Sequence, residues 1–139
     1  MKPKKTVKVF YALYQKKYRI ERMRLIDDYG ADDEKSMAAN NTSAFNYRVI
    51  SGTTKLSNHS YGRAIDINPI INPWVKGNKV SPANGKVYKQ RKTSKCKGKY
   101  KRYMIHKNDT AYKIFKKYGF SWGGEWRSSK DYQHFEVNK

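Results

Sequence analysis

Two stretches of this chain hold the residues that could do chemistry. One is Ser57-Asn58-His59-Ser60-Tyr61-Gly62-Arg63-Ala64-Ile65-Asp66; the other, near the C-terminus, is Asp131-Tyr132-Gln133-His134-Phe135-Glu136. Together they supply two imidazoles, a carboxylate able to act as a ligand and a spare carboxylate. That is the inventory of a three-ligand zinc site with a general base beside it. Two His and one Asp leave a fourth position open for water, whose pKa zinc draws down to roughly 7. The chain has only three histidines, and two of them fall in these stretches. Taken singly, His59 reads as a surface-turn histidine and Asp66 as a solvated strand carboxylate; the conjunction with His134 gives them weight.

Spacing constrains the elements that carry them. His59 and Asp66 lie seven positions apart, so they are not the one-turn pair of a helical metal site. Gly62 between them marks a turn. After it, Ala64, Asp66 and Asn68 alternate with Ile65 and Ile67, which predicts a strand with its isoleucines in a core, limited by Pro69. In the second stretch, Tyr132, His134 and Glu136 would share one face of a regular strand, and Asp131, Gln133 and Phe135 the other. Asp131 and His134 therefore cannot both face one metal from an ideal strand. Asp131 belongs in the incoming loop or at a bulge.

The pattern Ser-x-His-x-x-Gly-x-Ala-x-Asp, met by Ser57, His59, Gly62, Ala64 and Asp66 and followed far downstream by Asp131-x-x-His134, resembles a family of zinc peptidases that cut bacterial cell-wall peptides. The family includes D-alanyl-D-alanine carboxypeptidases, vancomycin-resistance D,D-dipeptidases and phage L-alanyl-D-glutamate endolysins. The resemblance runs from about Phe45 to Glu136. It implies an α+β fold with a small antiparallel sheet carrying the metal site and helices packed on one side. It implies Zn2+ held by His59, Asp66 and His134, with Asp131 as catalytic acid/base where many relatives have Glu. Arg48 is the candidate for the oxyanion-holding cation, since a similar upstream arginine serves relatives; its other reading is an ordinary surface arginine. Ser57 belongs to the motif and is assigned to substrate binding, as are Trp122 and Trp126 flanking the pocket, with core packing as the competing role of each tryptophan. Gly123-Gly124 would let the backbone pass close to substrate. The implied substrate is a peptidoglycan stem peptide, cut as an L-Ala-D-Glu endopeptidase or a D-Ala-D-Ala carboxypeptidase. The short chain and the Trp-Gly-Gly segment resemble the compact endolysin-like branch.

The remaining elements must position this site. Val7 to Lys17 carries Phe10, Leu13 and Tyr14 at helical spacing, and a second helix is capped by Asp109 or Thr110 and runs through Tyr118, with Ala111, Ile114, Phe115 and Tyr118 inward and Gly119 as its stop. Residues 18 to 29 have a mixed period. Residues 30 to 43 are loop-rich, with a short helix around Glu34 to Ala39. Phe45 to Ile50 and Gly62 to Asn68 read as strands around the site. Residues 72 to 98 form a long insertion rich in Pro, Gly, Asn and Lys, expected as a mobile basic rim of the substrate groove.

The 139 residues suit one domain spanning 1–139, expected as a monomer. A net charge of +20 predicts attraction to polyanions. A nucleic-acid-binding domain without catalytic activity is the alternative function, but no helix-turn-helix, zinc-finger or RNA-recognition motif accompanies the charge. Anionic cell-wall polymers account for it equally well. The single Cys96 allows no internal disulfide and reads as a non-functional thiol. His106 has no motif around it and reads as a surface residue. The Asn-x-Ser/Thr sequons, one of them inside the first motif, are chance occurrences. No stretch is long and apolar enough for a transmembrane span. Met1-Lys2-Pro3-Lys4-Lys5 has the basic start of a signal peptide, but the following run is broken by Gln15, Lys16 and Lys17 and lacks a small-residue cleavage site. The expected location is extracellular, in the cell wall or periplasm with a signal removed, or outside a lysed host if phage-encoded.

Overall fold

Apolar spacing of four residues sets the first helix. In the computed structural model, which describes residues 3–138, α1 spans Pro3–Gln15 and buries Val9 and Leu13, one turn apart on one face. Met1 and Lys2, which open the basic N-terminal stretch, lie outside the described residues. The short helix α2 (Asp33–Ala38) starts where Asp32 accepts a hydrogen bond from the Lys35 amide. The third helix, α3 (Thr110–Lys117), is capped in the same way: Asp109 Oδ1 accepts from the Tyr112 amide at 2.8 Å. It buries Ala111, Tyr112 and Phe115, with Ile114 and Tyr118 half-buried at its edge, and Gly119 follows with a φ of 84°.

Among the described residues, six short strands form two antiparallel sheets, giving an α+β architecture. They are β1 (Ala64–Asp66), β2 (Trp74–Lys76), β3 (Lys79–Ser81), β4 (Ser121–Trp122), β5 (Lys130–Asp131) and β6 (His134–Glu136). One sheet has the order β1-β6-β4 and the other β3-β2-β5. In the first, Asp66 lies opposite His134, Ile65 opposite Phe135 and Ala64 opposite Glu136. Residues directly opposite share a face, so Ile65 and Phe135 enter the core together while Asp66 and His134 emerge together on the other face.

The core lies on the isoleucine side. Val9 and Leu13 of α1, Phe115 of α3, and Ile65, Ile67, Ile105, Phe120 and Phe135 bury together, with the Phe115 and Phe135 rings stacked at 3.9 Å. Helices α1 and α3 pack against each other here, as expected for helices on one side of the sheet. The short α2 departs from that expectation: its Asp33, Glu34 and Met37 line the opposite, polar side.

Three other expectations are corrected. The strand expected over Phe45 to Ile50 is irregular chain with a single bridge, Val49 to Leu56. Its backbone is held by the 57–60 turn instead: Ser60 Oγ accepts from the Arg48 amide at 2.8 Å and donates to carbonyl oxygens of this segment. The insertion 72 to 98 is built structure, with the β2–β3 hairpin followed by a 3-10 helix over Ala83–Lys89. A small second core of Ile71, Tyr88, Cys96 and Met104 underlies it, which explains the single cysteine as a buried packing residue. Arg91 ties the insertion to the rest. Its guanidinium donates to the carbonyls of Ile71, Tyr88 and Ile105 and to Asn72 Oδ1, and it stacks on the Tyr132 ring at 4.2 Å. Lastly, His106 is half-buried rather than a surface residue, with Nε2 hydrogen-bonded to the Arg91 carbonyl.

Candidate metal centre

His59 sits in a 3-10 turn (Asn58–Tyr61) that follows Ser57 and ends at Gly62. Gly62 takes a φ of 62°, a left-handed conformation that glycine adopts without a Cβ penalty, and its amide closes the turn onto the Asn58 and His59 carbonyls. The chain then enters β1 and delivers Asp66. The Asp66 backbone is fixed on one side by β6 and on the other by paired hydrogen bonds with Ser43.

His59, Asp66 and His134 converge, and all three are buried. His134 Nδ1 lies 3.0 Å from Asp66 Oδ1, His59 Nε2 lies 3.1 Å from Asp66 Oδ2, and the two ring nitrogens are 3.3 Å apart. Each imidazole has its outward nitrogen occupied. His59 Nδ1 donates to the Ala44 carbonyl at 2.8 Å, and His134 Nε2 donates to Glu136 Oε2 at 2.9 Å. Those bonds select the tautomers that turn the lone pairs of His59 Nε2 and His134 Nδ1 inward. Asn58 Nδ2 holds Glu136 Oε2 in turn at 2.6 Å.

This donor set fits zinc. Two ring nitrogens 3.3 Å apart, close to the roughly 3.3 Å edge of a tetrahedron with bonds of about 2.0 Å, meet a carboxylate that turns one oxygen to each, and one ligand atom from each residue lies within 4.8 Å of the others. Without metal the cluster holds protons instead. Burial works against the His134 cation, but hydrogen bonds to Asp66 and Glu136 outweigh it and push its pKa up to about 10. His59 is raised as well: burial opposes its charge and the Asp66 carboxylate overcomes that. For Asp66, burial would raise the pKa, and the two imidazoles drive it well below the usual carboxylate range.

Asp131 reaches the site from the other sheet. It lies on β5 opposite Trp74 of β2; after it the chain turns through Tyr132 and Gln133 and enters β6 at His134. The change of sheet, rather than a loop or a bulge, lets Asp131 and His134 serve one pocket. Gly123 makes room for this. A Cβ there would stand 2.5 Å from the Asp131 carbonyl oxygen, 2.9 Å from Asp131 Cβ and 3.2 Å from His134 Cβ. Glycine is thus needed here for packing of the site itself. Asp131 Oδ1 is buried without a partner. Burial, then the nearby Asp66 carboxylate, push the Asp131 pKa up to about 7.

These residues line a pocket of about 540 Å³. Ser57 and Trp126 are in its wall, the Trp126 ring centroid 5.3 Å from that of His134. Arg48 also lines it, with Nε 3.7 Å from Asp33 Oδ2. Trp122 does not. It is buried in the core among Tyr112, Tyr132 and Phe135, with Nε1 donating to the Tyr132 carbonyl, so of its two readings core packing is the one realised. The insertion contributes Trp74 and Ser81 to the wall but no lysine, contrary to the expected basic rim. Among the described residues, Arg48 is the sole Lys or Arg in the lining, which also carries Asp33 and Glu34.

A family model described as D-alanyl-D-alanine carboxypeptidase matches residues 51–137. The chain belongs to that family. The D-alanyl-D-alanine carboxypeptidase family consists of zinc peptidases acting on peptidoglycan, in accord with the buried His-Asp-His cluster that could bind a metal. The matched span includes His59, Asp66, Asp131 and His134 and leaves Arg48 outside. No curated protein and no solved structure gives a match to the chain.

Of the residues around the cluster, Glu136 was legible beforehand as sharing a strand face with His134, but its hydrogen bond was not. The Ala44 carbonyl, Asp33 and Trp74 carried no signal of their own, because each is brought to the pocket by contacts distant in sequence; Asn58 and Gln133 adjoin His59 and His134, but neither residue type by itself marks a site.

Proposed function

We propose that this protein is a zinc-dependent peptidase that hydrolyses an internal amide bond of peptidoglycan stem peptides, with His59, Asp66 and His134 holding the metal. The observation that carries the reading is the convergence of three buried ligand atoms, each imidazole turned inward by its own outer hydrogen bond, beside the partnerless Asp131 Oδ1. When bound there, zinc supplies Lewis acidity toward the scissile carbonyl and the attacking water.

The protein groups do the rest. Asp131 accepts the proton of the attacking water and passes it to the leaving amine, from a buried position where its Oδ1 has no other partner. Arg48 supplies positive charge at the pocket wall, where it can help hold the developing oxyanion. Ser57 and Trp126 form walls for the peptide.

An internal bond is favoured over a carboxy-terminal one by the lining. A terminal carboxylate needs a cation of its own to grip it, and the one cation among the described lining residues, Arg48, is the group assigned to the oxyanion. The family description supports the carboxypeptidase as second reading. Digestion of purified peptidoglycan, with new termini identified by mass spectrometry, separates the two. Release of D-Ala alone would establish the carboxypeptidase, new L-Ala carboxyl and D-Glu amino termini the endopeptidase, and no chelator-sensitive cleavage would reject both.

The net charge of +20 serves association with anionic wall polymers, since the lysines are kept out of the pocket. Such an enzyme works at the cell wall, outside the cytoplasm.

A further inference from the structure

Among the described residues, five buried side-chain atoms lack a hydrogen-bond partner: Arg48 Nε, Arg91 Nε, Asp131 Oδ1 and both amide atoms of Gln133. All except Arg91 Nε belong to residues that line the pocket beside the metal cluster. Asp131 and Arg48 already have tasks in the reaction. Gln133 has none.

Gln133 is 1% exposed, and its backbone is fixed, the carbonyl accepting from the Ile67 amide at 2.9 Å. Its side chain is the anomaly. Oε1 and Nε2 are both without partners, so exchanging the two atoms would not satisfy either. A buried carboxamide left unmet is unfavourable, and an apolar residue of the same length would fill the position without that cost. The turn over Tyr132 and Gln133 also places this residue between Asp131 and His134.

The chemistry of the missing partner follows from what the amide offers. A carboxylate would satisfy Nε2 and leave Oε1 unmet; an ammonium would do the reverse. The N–H and C=O of one extended residue, which point to the same side of a peptide strand, satisfy both. We propose that Gln133 is a substrate-binding residue whose carboxamide pairs with the backbone N–H and C=O of one residue of the peptide beside the bond being cut. This rests on reading the pocket as a peptidase site. The paired backbone groups do not change charge during hydrolysis, so the contact strengthens substrate and transition state alike and acts on KM more than on kcat.

The test uses zinc-loaded protein carrying Gln133→Met, similar in length and apolar, and Gln133→Glu, which keeps an acceptor and loses the donor. Turnover is measured on the soluble peptide L-Ala-D-Glu-L-Lys-D-Ala-D-Ala. Binding of the same peptide is measured by calorimetry in an Asp131→Asn background, with and without Gln133→Met. Gln133→Met is expected to keep its zinc, to melt at the same or a higher temperature, and to raise KM and Kd about tenfold with kcat within about threefold. Gln133→Glu should fall between. A lowered melting temperature or failure to fold in Gln133→Met, with KM and Kd unmoved in Gln133→Glu, would make the amide a structural group satisfied by buried water and overturn the proposal. If the wild-type protein cleaves no stem peptide, the peptidase reading fails by itself, and the calorimetric comparison still decides the role of Gln133.

Discussion

Trp74 lies directly across the β2–β5 pair from Asp131. The proposed general base is therefore positioned by the insertion and not by the sheet that carries the metal ligands. Two small sheets meet at the pocket: one brings Asp66 and His134 to a common face, and the other adds Asp131 from the side. The chain passes between them in the two residues Tyr132 and Gln133.

The protein is expected to bind one zinc per chain through His59, Asp66 and His134. Elemental analysis of purified protein should show near-stoichiometric zinc in the wild type and its loss in the double variant His59→Ala, His134→Ala. Retention of stoichiometric metal in that variant would place the site elsewhere.

Replacing Asp131 by Asn should preserve zinc content and reduce turnover by about 10²-fold or more, because an amide cannot take up the water's proton. Near-wild-type turnover with zinc bound would reassign the base.

Gly123→Ala tests the packing that joins the two sheets. The added methyl meets the Asp131 backbone oxygen at 2.5 Å, and backbone cannot move aside as a flexible side chain can. A stability loss of about 1–3 kcal/mol is expected from such overpacking. Turnover should fall more than zinc affinity does, since Asp131 is displaced more than the ligands. Unchanged melting and unchanged turnover would show that the approach is looser than the structure has it.

Zinc binding should release protons. In metal-free protein the His134 pKa stands at about 10, above its ordinary value, so the ring is charged at pH 7 and must lose its proton before Nδ1 can ligate. Apparent affinity should therefore rise with pH, by up to about tenfold per unit for one displaced proton, and flatten near pH 10. Calorimetric titrations in buffers of different ionisation enthalpy measure the protons released; a value of zero at pH 7 would contradict the assignment. Glu136→Gln weakens the acceptor at His134 Nε2 and should lower zinc affinity by about 10- to 100-fold.

Retention on cells with and without teichoic acid should differ, and the difference should shrink as salt rises, because exposed charges are screened beyond about 8 Å at 0.15 M. Sequence-selective nucleic-acid binding that survives the same salt, in protein devoid of metal, would favour the nucleic-acid alternative instead.

What the sequence determined by itself is local in origin. The alternation of Ile65 and Ile67 with Asp66 selected the strand and its buried face. Asp109 and Gly119 bracketed α3, and Gly62 between His59 and Asp66 marked the turn. The two motifs together named the family, since few other arrangements use those residue types at that spacing. The tertiary structure decided everything that depends on register and on contacts distant in sequence. The opposition of Asp66 and His134, the hydrogen bond of Ala44 to His59 and the pairing of Trp74 with Asp131 join segments that no local periodicity links. The failed strand at Phe45 to Ile50 has the same cause: it finds only a single bridge and otherwise leans on Ser60. Trp122 and Trp126 make the point most simply. They are four positions apart and alike in type, yet one packs in the core and the other walls the pocket, because a single turn over Gly123–Glu125 separates the two faces of the sheet.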